Sequence, residues 1–154
     1  MDAIADRLSG HGVGSIFLYT HEAHPGEYYP HLTSMDQKYA HARDLREKLG
    51  VSRPILIDAL DGACHRAYGS MPNMSWIFTK SGLPIYKSDW TDANSVENAL
   101  EYFLEVVNRR RSGERVVGFN VQRLDFRTQD QAGFMAGLER NGPKAAREFM
   151  KAFD

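Results

Sequence analysis

The chain has 154 residues, 42% hydrophobic and 25% charged, with 19 basic against 20 acidic side chains and a formal net charge of -1. That balance suits one globular core and excludes a general electrostatic pull toward nucleic acid or an anionic membrane. A single cysteine, Cys64, excludes an intrachain disulfide, a Cys-x-x-Cys redox pair and a cysteine-based zinc cage, and fits a reducing, cytoplasmic setting.

Acidic Asp2 and Asp6 stand where a signal peptide carries basic residues, and no apolar run approaches the roughly 20 residues of a membrane span. Met1–Leu8 is expected to form a short helix with Ile4, Ala5 and Leu8 on one side, broken by Gly10, Gly12 and Gly14. Val13–Thr20 is apolar without strict alternation, the pattern of a strand buried on both faces in a parallel sheet. A polar loop with Pro25, Gly26 and Pro30 follows. Thr33 or Ser34 then caps a helix in which Met35, Tyr39, Ala42, Leu45 and Leu49 recur at helical spacing, and Gly50 stops it.

Pro54–Asp58 reads as the next buried strand and Asp61–Tyr68 as a short helix closed by Gly69. Met74–Thr79, the turn Lys80-Ser81-Gly82 and Leu83–Lys87 make a hairpin. Thr91 or Asp92 caps a long helix with Val96, Ala99, Leu100, Phe103, Leu104 and Val107 along one stripe. The order is that of an α/β domain, and the strands flanking the first long crossover helix are expected to pair parallel. The run Arg109-Arg110-Arg111-Ser112-Gly113 marks a boundary. Residues 1–111 are read as the main domain and 112–154 as a helical appendage packed on it. Its helices are expected at Gln129–Arg140 and Pro143–Phe153, and Phe119, Val121, Leu124 and Phe126 are its docking candidates.

The segment Phe17-Leu18-Tyr19-Thr20-His21-Glu22-Ala23-His24-Pro25-Gly26-Glu27 resembles the strand and following Glu-Ala-His of the iodothyronine deiodinases and their bacterial redoxin-like relatives. The likeness continues in order through His31, Ala42-x-x-Leu45, Ile57-Asp58-x-x-Asp61, Tyr68-Gly69-x-x-Pro72, Gly82 and Tyr86-Lys87, over roughly Ile4 to Leu104. It implies a thioredoxin-like mixed sheet flanked by helices, a cis Met71–Pro72 bond facing the site, a small-molecule substrate and a tendency to dimerise. The family's reactive selenocysteine or cysteine lies upstream of the matched segment. The resemblance therefore implies that the first strand and the nucleophile are missing from this chain. Asp61 stands where the family has asparagine, and Ser88-Asp89-Trp90 replaces its glycine-rich turn.

Glu22 and His24 are two residues apart at a strand end, so they are expected on one face, where carboxyl ends of parallel strands bind ligands. A carboxylate beside an imidazole orients the ring and supports proton transfer or substrate anchoring, with His31 approaching from the start of its helix. A pair that only ties down the loop before Pro25 is the competing reading. Tyr19, Met71, Pro72 and Trp90 are the candidate substrate contacts. No metal is assigned, because His21 and His24 should face opposite ways and the His-Glu-Ala-His spacing is not that of helical zinc peptidases. No cofactor is assigned either: Gly10-x-Gly12-x-Gly14 precedes a strand and does not open a helix. Cys64 reads better as a small core residue than as a nucleophile, and the arginine run as a solvated helix end.

Three functions compete. The first is a deiodinase-like redoxin whose nucleophile comes from outside this sequence. The second is a non-redox enzyme in which Glu22, His24 and His31 move protons on a small organic substrate. The third is a non-catalytic module that pairs through an exposed sheet edge as a homodimer.

Overall fold

A computed structural model describes residues 1–69, 71–116 and 130–152. Among these residues the elements run α1 (Asp2–Ser9), β1 (Phe17–Tyr19), α2 (Met35–Glu47), β2 (Ile55–Ile57), α3 (Ala63–Tyr68), β3 (Ser75–Phe78), β4 (Pro84–Ser88), α4 (Ala93–Arg111), α5 (Gln131–Asn141) and α6 (Pro143–Lys151). The mixed α/β class is thus as expected. The four strands form two two-stranded sheets: β1 runs parallel to β2, and β3 runs antiparallel to β4. No described helix is long and apolar enough to cross a membrane.

The chain clusters into two compact units, each discontinuous in sequence. One takes in Met1, Ala3–Val13 and the described residues from Asn73 to 116; the other takes in Asp2, Gly14–Pro72 and the described residues of 130–152. The units do not divide at 111/112, because α5 and α6 cluster with β1, α2 and β2. The docking candidates Phe119, Val121, Leu124 and Phe126 lie outside the described residues.

In the first unit the hairpin pairs Ser75 with Ser88, Trp76 with Lys87 and Ile77 with Tyr86, then shifts register before Phe78. Gly82 closes its turn at φ +84°, a left-handed conformation that favours glycine. The Asp92 carboxylate caps α4 by accepting the Ser95 N–H at 2.8 Å. The buried stripe of α4 runs through Val96 and Val106, while Val107 is 41% exposed. The expected Val107 is thus corrected: Val106 takes the buried place beside it.

The second unit is built on the β1–α2–β2 crossover. β1 is shorter than the apolar run that predicts it. Its partner strand holds only three residues, and pairing starts where the Phe17 N–H reaches the Pro54 carbonyl at 2.8 Å. Helix α2 starts at Ser34, whose hydroxyl accepts the Gln37 N–H at 3.2 Å, while the Gln37 amide oxygen accepts the Thr33 N–H at 2.8 Å. This reciprocal cap resembles a capping box displaced by one residue. Ser34→Ala is expected to cost about 1 kcal/mol, read as a lower urea midpoint with unchanged slope.

The inner face of α2 differs from the predicted stripe. Tyr39 is half exposed, whereas Lys38, His41 and Ala42 are buried. The Lys38 stem lines the interior, and its ammonium donates to the Ala59 carbonyl at 3.1 Å, so a lysine occupies a core position.

Candidate functional site

β1 delivers Tyr19 into the second unit, where 6% of its surface stays exposed. Its hydroxyl donates to Glu22 Oε1 in a short hydrogen bond. His41 Nδ1, from α2, lies 3.3 Å from the Tyr19 oxygen and 3.4 Å from the same Glu22 carboxylate. Burial first, and then the neighbouring Glu22 carboxylate, push the Tyr19 phenol above its ordinary range, so it stays protonated and donates. The Tyr29 ring closes over His41, edge to face at 5.0 Å, and its hydroxyl donates to Asp44 at 2.8 Å. Glu22, Tyr29, His41 and Asp44 help line a cavity of about 60 Å³, which has room for water but not for an organic substrate.

Asp58, at the end of β2, is the second buried polar centre. Burial pulls its carboxyl upward, but backbone N–H groups of His65, Cys64 and Ala59 outweigh that and hold it below the ordinary carboxylate range. The His65 and Cys64 donors lie at 2.9 and 3.0 Å. His65, on α3, donates from Nε2 to the Met71 carbonyl at 2.7 Å, and its ring meets His21 at 4.9 Å. Burial, followed by the neighbouring His65 ring, lowers the pKa of His21.

Burial likewise lowers the pKa of Lys38, against the opposing pull of Asp58 and Asp61. With the folded value depressed, the unfolded chain binds the extra proton. Stability contributed by this group therefore rises with pH between the folded value and about 10.4. Lys38→Met keeps the stem and removes the buried charge. It also takes away the cation that favours ionised Asp58 and the donor to the Ala59 carbonyl, so it is expected to cost about 1–3 kcal/mol near neutral pH, and to flatten that alkaline rise in a pH series of urea midpoints.

Glu22 and His24 are not a bonded pair. The chain leaves the extended conformation after Tyr19, so the two-residue alternation of a strand does not reach them. Glu22 turns to Tyr19 and His41. The His24 ring instead packs edge to face on Phe134 at 5.8 Å and on Phe149 at 5.6 Å, from α5 and α6.

His24 and His31 do come together, in the wall of a cavity of about 560 Å³ completed by Pro25, Pro30, Lys144 and Phe149. The loop carrying His24 is fastened to the α5–α6 turn. The Asn141 amide donates to the His24 carbonyl at 2.8 Å, and the Tyr28 N–H to the Asn141 carbonyl at 3.0 Å. The Glu27 carboxylate accepts the Lys144 N–H at 2.8 Å at the start of α6. That backbone bond, the largest influence on the group, lowers the pKa of Glu27.

The remaining candidates sit elsewhere. Met71 and Pro72 are exposed, and Met71 offers its carbonyl to His65. No described peptide bond is cis, so the Met71–Pro72 bond is trans, contrary to the expectation. Trp90 belongs to the other compact unit, where Asn73 and Trp90 form an isolated bridge. Cys64 is half-buried and outside the cavity wall. Among the described residues no three His, Cys, Asp or Glu side chains gather with metal-ligand geometry.

Sequence reasoning missed Lys38, His41, Lys144 and the two phenylalanines. A signal existed for the first two: positions 38, 41, 42 and 45 share one face of a 3.6-residue helix, so polar residues at 38 and 41 interrupt an otherwise apolar stripe. Comparison with family models, curated proteins and solved structures finds no match to this chain.

Proposed function

We propose that this chain is an enzyme of thioredoxin-like fold, related to the deiodinase-like redoxins, that moves a proton on a small organic substrate through His24. The element order supports the fold: a parallel strand–helix–strand unit, then an antiparallel hairpin and a long helix. The single observation that carries the function is the setting of His24. Its imidazole is clamped by Phe134 and Phe149 while it lines, with His31, a cavity in the size range of small-molecule sites.

In this reading His24 exchanges the proton and His31 orients a polar group of the substrate. Glu22 serves as a positioning residue: tied to Tyr19 and His41, it anchors the strand end from which the His24 loop departs. Proton transfer of this kind needs no thiol, which agrees with a sole cysteine outside the cavity wall. The test is uptake of solvent deuterium into small organic substrates, followed by proton NMR. His24→Ala is expected to lower it by roughly 10²–10⁴-fold without loss of helical circular dichroism. Uptake that survives the change sinks the assignment.

A further inference from the structure

We infer that the cavity between the His24 loop and α6 is a site for a small carboxylate with an apolar body, and that Lys144 selects the charge. The inference rests on the proposed function only for the choice of cavity. The two charged side chains of the wall, Lys144 and Glu148, differ in their partners. The Lys144 ammonium and the His31 imidazole make no side-chain hydrogen bond or ion pair among the described residues; the ammonium acts on Glu27 through its charge alone, so its donors stay available to a ligand in the cavity. The one carboxylate of the wall, Glu148, already receives Lys151 at 3.3 Å. The start of α6 is no competing anion site, because Glu27 occupies it.

The rest of the wall, Pro25, Pro30, Ala145 and Phe149, is apolar and suits the body of the ligand. The site is also preformed. Gly26 fits against the Asn141 carbonyl where a Cβ would stand 2.1 Å from the oxygen, and the hydrogen bonds from Asn141, Tyr28 and Lys144 fix the two sides of the cavity. A ligand therefore meets donors already in place and loses little ordering entropy on binding. A carboxylate gains a charge-assisted contact with the ammonium that a neutral isostere does not.

The test uses the full chain and three probes of one shape: benzoate, benzamide and benzylamine, titrated by NMR with the ring protons of His24 and His31 as reporters. Benzoate is expected to shift both rings and to bind on the order of tenfold tighter than benzamide, with benzylamine weakest. Lys144→Gln, an exposed substitution that keeps the backbone bond to Glu27, should bring benzoate down to the benzamide level. His31→Gln should weaken benzoate as well.

Equal binding of the three probes, or a benzoate preference that persists in Lys144→Gln, would overturn the charge assignment. Benzoate that leaves both rings unmoved would overturn the site. Selective benzoate binding in a protein with no deuterium uptake would support this site while removing the catalytic role of His24, so the two proposals fail separately.

Discussion

Gly26→Ala is expected to destabilise the second unit by about 3 kcal/mol. The new Cβ would stand 2.1 Å from the Asn141 oxygen and 2.6 Å from its carbonyl carbon, both backbone atoms that cannot swing aside. The His24 loop must then lift off the α5–α6 turn. Lifting breaks the Asn141–His24 and Tyr28–Asn141 hydrogen bonds and the Glu27 cap on Lys144.

Each such bond is worth roughly 0.5–1.5 kcal/mol, and overpacking adds about 1–3 kcal/mol if the loop stays. The protein takes the cheaper course. In a chain of this size the loss appears as a fall in Tm of about 6–12 °C. Hydrogen exchange at the Tyr28 and Lys144 amides should accelerate well before global unfolding. A Tm within about 2 °C of the parent, with both amides still protected, would contradict the packing of this loop on α5 and α6.

Asp58→Ala is the second large effect, again about 3 kcal/mol. It removes the acceptor for the Cys64 and His65 N–H groups at the start of α3, and the negative charge that offsets buried Lys38. Hydrogen bonds to a charged group are worth roughly 1.5–3 kcal/mol each, and they share one carboxylate, so their losses do not simply add.

The sign of the pH dependence follows from the depressed carboxyl. Asp58 contributes stability that is fully present above its unfolded value of about 3.9 and is lost as pH falls through the lower folded value. The acid limb of the stability curve should therefore be shallower in Asp58→Asn, which keeps one acceptor oxygen but carries no charge. In a Lys38→Met background Asp58→Ala should cost measurably less, because no buried cation is left uncompensated. An unchanged acid limb in Asp58→Asn would show that the carboxylate is not held by these donors.

Much of the fold was legible because it is encoded locally. Ser34, Asp92 and Pro143 each mark a helix start by the chemistry of their own side chains or backbone, and each helix begins at the marked place. The parallel pairing of β1 and β2 follows from the length and helical character of what joins them.

The site was less legible because its parts are distant in sequence. The bonds that seat the His24 loop on α5 and α6 span 117 residues, and no local pattern announces them. The Glu22–His24 pairing failed for a different reason. It extrapolated strand geometry past Tyr19, where the chain has already turned. Lys38 was hidden by its type. A lysine reads as surface until its ammonium finds a carbonyl such as that of Ala59 inside.

His24 is the group that meets the substrate in the proposed function, and Glu22 holds its loop from behind. The direct measurement is deuterium uptake from solvent into a panel of small carboxylic acids, compared in the parent protein, His24→Ala and Glu22→Gln at matched folded fractions. Uptake above the buffer rate is expected for the parent, with a loss of roughly 10²–10⁴-fold in His24→Ala. Glu22→Gln is expected to lower Tm while uptake stays within about tenfold of the parent, as positioning without proton transfer requires. Uptake at the parental rate in His24→Ala, or none above buffer in the parent with any acid of the panel, would contradict this role of His24.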